Sequence, residues 1–461
     1  MKLEVACLFA LAVLPSFIVG SPEKIYGVNL GGWLVAESWM FPEEWVALGG
    51  EFCDDCTTCI STEFDMAKAY PDSVDQRFAK HWSTWFTQDH VNQLKNVGIN
   101  TVRLPLGYWI IEDLVDRSTE YFPRGGLKYL INGLKMLRDA DIQVILDHHA
   151  LPGAQATLQM FAGRCTRAPQ FYTPYNYGRA LTWTAVMTGL THLHPEFSSV
   201  YSIEAVNEPL MNATMTPGFG DFQHNFVQTV RAMERLLGVG SSSPSTSFNL
   251  TRVPTAQQIQ GLFNPAVAKA VIEAIPILVR LGLQLGIPGI LDVGLAKSRS
   301  GTRKPITTSF MDYNWQNTPD RPNPALAADG PQAYDDHLYY NYGGVADPNP
   351  TAYLTSICNT QRIEIDAAHG NTPMWTGEWA ITAQFTPTDA FLNQWADAQK
   401  LAWSKAAGWI FWNFRVEDSE TTRASDLGRY WSYLEGVERG YLTKDPSQYH
   451  DPHVCDPYRR S

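Results

Sequence analysis

The chain has 461 residues, of which 44% are hydrophobic, 12% aromatic and 18% charged, and its formal net charge is −12. A chain of this length can bury a large core. The acidic balance, together with the lack of any lysine and arginine cluster, argues against a nucleic-acid binder or a protein that adheres to an anionic membrane. We therefore expect no nucleic acid and no membrane among the partners of the mature form.

The first twenty residues have the pattern of a secretory signal peptide. Lys2 supplies the positive charge, an apolar run extends from Val5 to Val19, and the small residues Gly20 and Ser21 follow. Such a run is too short to span a bilayer. We expect residues 1–20 to be removed, and residues 21–461 to form one secreted domain.

Cysteine usage agrees with export. Without the signal peptide six cysteines remain, an even number suited to three disulfides in an oxidising compartment: Cys53, Cys56, Cys59, Cys165, Cys358 and Cys455. The close spacing of the first three would also suit a metal ion, but export favours disulfides, so we expect no metal. The pairing is not deducible from the sequence. Asn212 and Asn249 lie in glycosylation sequons.

Short apolar segments alternate with helical patterns along the chain. Helical spacing of apolar residues predicts helices over 89–97 and 127–140. Eight strands are predicted, over residues 26–30, 101–106, 144–148, 202–206, 306–311, 337–340, 374–377 and 409–412. Eight such repeats without a clear linker, and without GxGxxG after any strand, favour an α/β fold with a single (β/α)8 TIM barrel and loop insertions. The serine-rich residues 241–247 predict one such loop.

In a barrel of this kind the functional side chains come from the carboxyl ends of the strands. That rule selects a set of candidates: Glu37, Arg103, His148, His149, Asn207, Glu208, His337, Tyr339, Glu378 and Trp412.

Two glutamates carry the main chemical argument. Glu208 in "AVNEP" and Glu378 in "MWTGEWA" would follow strands four and seven, and would face each other across the barrel mouth. Glycosidic cleavage needs such a pair: one carboxyl group protonates the leaving oxygen and the other attacks the anomeric carbon. The charge on one raises the pKa of the other and keeps it protonated. The structural alternative is a buried glutamate that pairs with Arg103, or a surface salt bridge.

The other candidates have weaker signals. In a strand over 337–340, His337 and Tyr339 would share one face, where Tyr339 could bind a nucleophilic carboxylate and His337 the sugar. His148 and His149 are adjacent, so they point to opposite sides of a strand and only one can line the site. Trp412 could stack on a sugar ring. Each of these residues could instead be part of an ordinary core. No HExxH spacing supports zinc hydrolysis.

Seven stretches, in order along nearly the whole mature chain, resemble glycoside hydrolase family 5, and within it the fungal exo-β-1,3-glucanase and endo-β-1,6-glucanase types. They are GVNLGGWLVAESWM (27–40), GINTVRLPLGYW (98–109), VILDHHALPGAQ (144–155), AVNEP (205–209), DDHLYY (335–340), TGEWA (376–380) and GWIFWNFRVE (408–417).

The resemblance implies a role for each matching position. Glu208 would be the general acid/base and Glu378 the nucleophile of a retaining reaction without a cofactor. The substrate-binding positions would be Glu37, which holds a terminal glucose in some members, Arg103, which supports the nucleophile, His149, Asn207 at the 2-hydroxyl, His337, Tyr339 and Trp412. The expected partner is a β-glucan polysaccharide or oligosaccharide, and we expect a monomer located outside the cell or in the cell wall.

Three departures from the family pattern affect the rim of the site. The chain has Ala36 and Ser38 around Glu37, Ala150 after His149, and Phe414 in place of a common tryptophan. The rim of such a site determines which linkage is cleaved and how long a chain is bound, so the choice between β-1,3 and β-1,6 and between exo and endo action stays open. Glu37 favours the exo-1,3 type. The cysteine-bearing segment after Trp45 resembles the endo-1,6 type. A transglucosylase and a glucan-binding protein without catalysis are the alternatives.

Overall fold

A computed structural model describes residues 22–239, 255–285, 304–315 and 321–459. The signal pattern, the serine-rich loop and the Asn249 sequon lie outside these ranges. In the described ranges, no helix combines the length and the apolar character that a membrane span requires.

Eight parallel strands close into a barrel in chain order, as the sequence predicts. They are β1 (Ile25–Asn29), β2 (Thr101–Gly107), β3 (Gln143–Ala150), β4 (Val200–Glu204), β5 (Thr307–Met311), β6 (Gln332–His337), β7 (Met374–Glu378) and β8 (Gly408–Phe411). The ring closes where β1 pairs with β8, with Ile25 opposite Gly408. Because all strands run the same way, their carboxyl ends meet at one mouth.

Helices surround the strands. They are α1 (Pro42–Ala47), α2 (Glu63–Ala69), α3 (Val74–Trp85), α4 (Gln88–Asn96), α5 (Gly126–Asp139), α6 (Pro174–Leu193), α7 (Phe219–Leu236), α8 (Ala256–Gln260), α9 (Pro265–Leu285), α10 (Pro350–Cys358), α11 (Arg362–Ala368), α12 (Asp389–Trp403), α13 (Glu420–Ala424), α14 (Leu427–Trp431) and α15 (Tyr433–Glu438). The two predicted helices are confirmed within one residue as α4 and α5. In α5, Leu130, Leu134 and Leu137 are buried, which is the spacing that predicts a helix.

Two apolar clusters form the core. The larger one lies between the strands and the helices. The smaller one fills the barrel below the mouth and consists of Ile25, Ile145, Tyr201, Ala333, Trp375 and Ile410. The alternation of strand residues places functional side chains above this apolar layer.

Strand six was predicted over residues 337–340, and this is wrong. The strand is β6, which ends at His337, so Tyr339 lies in the loop after it. The observed strand contains Asp335 and Asp336, which are fully buried. Each has a cationic partner: Asp335 lies 3.1 Å from Arg103, and Asp336 lies 2.6 Å from Arg362. These ion pairs let carboxylates occupy a strand.

Three disulfides form from the six cysteines, as expected. Cys53 pairs with Cys59, Cys56 with Cys165, and Cys358 with Cys455. The first two bridges lie in the loops that follow β1 and β3. The third bridge ties the C-terminal segment to the end of α10.

Candidate active site

A cavity of about 570 Å³ opens at the carboxyl ends of the strands. Of the nine site residues that the family resemblance implies, eight line it: Glu37, His149, Asn207, Glu208, His337, Tyr339, Glu378 and Trp412. The ninth, Arg103, is the third residue of β2 and is fully buried beneath the cavity, deeper than the expected strand end.

Glu378 is the last residue of β7 and lies on the cavity floor. An Arg103 Nη1–H group donates to its Oε1 at 3.0 Å, and the Tyr339 hydroxyl donates to its Oε2 at 2.9 Å. Burial raises the pKa of Glu378, whereas the positive charges of His337 and Arg103 oppose that rise. The carboxyl group is therefore fixed in orientation, with donors on both oxygens.

Glu208 lies four residues beyond the end of β4, where its backbone adopts a positive φ of 42° before Pro209. The predicted strand over 202–206 thus ends earlier than expected, and a turn rather than the strand itself positions this side chain. Its side chain is 18% exposed, compared with 7% for Glu378. A Glu208 oxygen, a Glu378 oxygen and a His337 ring nitrogen all lie within 4.8 Å of one another.

Arg103 lies beneath the cavity and bonds side chains from several strands. Its guanidinium contacts the Glu378 and Asn207 side chains above it and carboxylates around it: Asp147 at 3.0 Å, Glu204 at 2.9 Å and Asp335 at 3.1 Å. Burial opposes its charge, but the acidic side chains around it, Asp147 most strongly, raise the pKa of Arg103 well above its usual value. The guanidinium stays positive and places Glu378 and Asn207 relative to each other.

Strands β3 and β6 carry the same series of inward-facing residues: an apolar residue, then an acid that contacts Arg103, then a histidine at the cavity. Along β6, Ala333 belongs to the apolar layer, Asp335 contacts Arg103, and His337 reaches the cavity. His337 Nδ1 lies 2.9 Å from Glu208 Oε1, and its Nε2 faces Asp335 at 3.6 Å. Burial lowers the pKa of His337, but the charges of Glu378 and Asp335 outweigh it and raise that pKa well above its ordinary value.

On β3 the corresponding residues are Ile145, Asp147 and His149. His149 Nδ1 lies 2.6 Å from Asp147 Oδ2. As expected from its adjacency, His148 points away from the cavity, where it stacks on Trp183 with ring centroids 3.9 Å apart. Burial holds the pKa of His148 well below its usual value.

Glu37 lies on the cavity wall after β1, with His149 Nε2 3.9 Å from its Oε1. The Trp39 indole N–H donates to its Oε2 at 3.1 Å. Burial raises the pKa of Glu37 to about 7, although His149 and the Trp39 hydrogen bond act in the opposite direction. A carboxyl group in this position can bind sugar hydroxyl groups.

Aromatic rings form the remaining wall. Trp412 follows β8 and stacks on His149, with centroids 5.6 Å apart and planes 12° apart. Trp39 packs edge-on against Trp431. The sequence analysis missed Trp39, Trp315, Tyr342 and Trp431 as site residues. The high aromatic content was the available signal, but it did not locate them because they lie outside the barrel strands, in the segments that follow them.

Three buried acids around Arg103 were also missed: Asp147, Glu204 and Asp335. For Asp147 and Glu204 the signal was a charged residue within a predicted apolar strand, whereas Asp335 lies outside the strand predicted over 337–340. An acidic side chain that points into the barrel needs a cationic partner, and Arg103 was already a candidate site residue.

Comparisons with known proteins agree with this geometry. The profile of the family described as Cellulase (glycosyl hydrolase family 5) matches residues 68–418. The chain is 30% identical over 446 residues to Glucan endo-1,6-beta-glucosidase B of Emericella nidulans, covering 94% of this chain and 88% of that protein. It is 32% identical over 213 residues to Probable glucan 1,3-beta-glucosidase A of Aspergillus fumigatus, covering 46% and 47%.

A solved structure shares the fold. The rutinosidase from Aspergillus niger aligns with a TM-score of 0.56 at 18% identity, over 91% of this chain and 97% of that chain. The family profile and the full-length relative together establish that the chain belongs to glycosyl hydrolase family 5 and is a glycoside hydrolase.

Proposed function

We propose that the protein is a secreted, retaining β-glucan hydrolase that cleaves β-1,6-glucosidic bonds of a fungal wall glucan. The observation that carries the reaction type is the approach of a Glu208 oxygen to a Glu378 oxygen within 4.8 Å. Retaining enzymes hold their carboxyl groups about 5 Å apart, whereas inverting enzymes need roughly 6.5–9.5 Å to admit a water molecule.

The surroundings of the two carboxyl groups support different roles. Glu378 accepts hydrogen bonds from Arg103 and Tyr339, which stabilise its anionic form and orient it for attack. Glu208 is more exposed and contacts His337, so it can exchange its proton with water between the two steps. We therefore assign Glu378 as the nucleophile and Glu208 as the general acid/base.

The reaction then takes two steps. Glu378 attacks the anomeric carbon while Glu208 donates its proton to the leaving glycosidic oxygen, which gives a glycosyl ester on Glu378. Water attacks the same carbon as Glu208 takes its proton, and the ester bond breaks. Because Arg103 Nη2 donates to Asn207 Oδ1 at 2.8 Å, the Asn207 amide nitrogen is the end that can donate to the sugar 2-hydroxyl. No cofactor enters either step.

The linkage rests on similarity. The relative that aligns along 94% of the chain is named an endo-1,6-beta-glucosidase, whereas the 1,3-beta-glucosidase aligns over less than half of it. Exo action on β-1,3-glucan is the second candidate, and Glu37 favours it because a buried carboxyl on the cavity wall can hold a terminal glucose. Secretion is supported by the signal pattern and by three disulfides.

Product analysis of the purified protein tests this proposal, with the Glu378→Gln variant as the control. We expect pustulan, a β-1,6-glucan, to give a ladder of oligosaccharides, and the variant to give none. Glucose from laminarin, a β-1,3-glucan, without products from pustulan would instead support the exo-1,3 candidate. Longer products from added acceptor oligosaccharides would indicate a transglucosylase, and binding without any product would indicate a glucan-binding protein.

A further inference from the structure

A second cavity of about 330 Å³ lies beside the active-site cavity, and we name it the rim cavity. Gln159 and Met160 line both cavities, so the two cavities adjoin at these residues. Its size is within the range of sites that hold small molecules. A chain that leaves the active-site cavity across Gln159 and Met160 enters the rim cavity directly.

Two segments form the walls of the rim cavity, residues 51–61 and residues 158–167. The Cys53–Cys59 bridge closes the first segment on itself, and the Cys56–Cys165 bridge joins it to the second. An ion pair between Asp55 and Arg167, 2.6 Å long, adds a further link. These bonds hold the two walls together although most of their length is not helix or strand, so a ligand meets a surface that is already ordered.

The chemistry of the walls suits a neutral sugar. Phe52 is 53% exposed and lies outside the apolar core, so its ring is available to stack on a sugar face. Glu51 and Asp54 supply carboxylates that accept hydrogen bonds from hydroxyl groups, and Arg167 supplies N–H donors. With three acids and one arginine on these walls, an anionic ligand is disfavoured.

We propose that the rim cavity is an accessory subsite that binds a distal glucose unit of the same β-glucan chain that is cleaved between Glu208 and Glu378. This inference rests on the proposed function and deepens it. It gives the enzyme a preference for long chains, because each glucose unit that reaches the rim cavity adds binding contacts. Such an extended groove favours cleavage within a chain.

The test measures binding in the Glu378→Gln background, where the ligand is not consumed. Calorimetric titration with β-1,6-linked gluco-oligosaccharides, from the disaccharide to the hexasaccharide, should show affinity that rises with chain length. Adding Phe52→Ala should weaken hexasaccharide binding about fivefold, as expected for one lost ring stack, and leave disaccharide binding unchanged. Asp54→Asn, an exposed change of the same size, should also weaken binding of the hexasaccharide alone.

Leu326→Ala serves as the matched control, because Leu326 is 69% exposed and lines neither cavity. It should leave binding of every oligosaccharide unchanged. Hexasaccharide binding that is unaffected by both rim changes, or affinity that does not rise with length, would overturn the inference. If wild-type enzyme still degrades pustulan in that case, the proposed function stands. If it neither binds nor cleaves any β-glucan, the proposed function fails and the inference with it.

Discussion

The Arg103 guanidinium and the Glu378 carboxyl group meet at 3.0 Å on the floor of the cavity. Arg103 is fully buried and Glu378 is nearly so. The pair therefore holds the proposed nucleophile in place, and the charge of Arg103 opposes the rise in the pKa of Glu378 that burial causes. Changes to either side of this contact should alter the pH dependence of the reaction.

Arg103→Lys should shift the acidic limb of the pH profile. A lysine keeps the charge but cannot contact Glu378 and Asn207 simultaneously as the guanidinium does. The nucleophile acts as the anion, which is present above its pKa. Weaker pairing raises that pKa, so activity is lost at a higher pH as the solution is acidified. We expect kcat/KM to show a shift of about one pH unit upward. An unchanged acidic limb in a folded variant would contradict the assignment of Glu378.

Tyr339→Phe tests the other oxygen of the same carboxyl group. The change removes the hydroxyl that donates to Glu378 Oε2 and keeps the ring packed against Trp431. Because a hydrogen bond to a charged group contributes about 1.5–3 kcal/mol, kcat should fall roughly tenfold or more. The melting temperature should change little. If kcat is unaffected while stability falls, Tyr339 has only a structural role.

Glu208→Gln should affect substrates according to their leaving groups. A natural glucan needs the proton of Glu208, so kcat/KM should fall by about 10²–10⁴. From an aryl β-glucoside with an acidic phenol, the phenolate can leave without that proton. The second step is still slow, because the variant has no base at position 208 to activate water. We therefore expect a burst of phenol equal to the enzyme concentration, followed by slow turnover, in stopped-flow measurements. Equal losses on both substrates, with no burst, would count against Glu208 as the acid/base.

The sequence predicts the barrel well because its strands are buried apolar segments at regular intervals. It fails at β6, where two acidic residues are adjacent in the strand. The segment that contains Asp335 and Asp336 was not predicted as strand because two adjacent acids are unusual there, and Arg103, the partner of Asp335, comes from a distant part of the chain. The pairing of Asp335 with Arg103 spans more than two hundred residues and therefore leaves no local signal in the sequence.

The site shows the same division. Glu208 and Glu378 are visible in the sequence because each follows an apolar segment in a recognisable motif. The stack of Trp412 on His149 and the contact of His337 with Glu208 depend on how strands and loops meet at the mouth. The tryptophans at 39, 315 and 431 lie outside the barrel strands and have no periodic pattern around them, so only the folded chain brings them to the cavity.

Glu204→Gln should stabilise the protein increasingly as pH rises. Glu204 is buried and accepts a hydrogen bond from Arg103 Nε at 2.9 Å, and burial raises its pKa well above 4.5. The folded state keeps a proton that the unfolded state releases above pH 4.5, so this group disfavours folding more as pH rises towards its folded pKa. Glutamine copies the neutral acid and removes that cost.

Denaturant unfolding of Glu204→Gln and wild type at pH 5 and pH 7 measures this effect. The unfolding free energy of the variant minus that of the wild type should increase by up to about 1.4 kcal/mol for each unit by which the pH rises. Glu204→Ala is the comparison, because it leaves Arg103 Nε with one acceptor fewer and opens a cavity, and should be destabilising at both pH values. A glutamine variant that is equally destabilised at both pH values would show that Glu204 is ionised in the folded protein.

The Cys358–Cys455 bridge should contribute stability without affecting catalysis. It joins two residues separated by 97 positions and holds the C-terminal segment against α10, and neither cysteine lines the active-site cavity. A disulfide that closes a loop of that length strongly restricts the unfolded chain. The Cys358→Ala, Cys455→Ala double variant should therefore lose about 2–5 kcal/mol of unfolding free energy. Its kcat and KM on pustulan should equal those of the wild type below its lowered melting temperature. A fall in kcat at low temperature would show instead that the C-terminal segment supports the site.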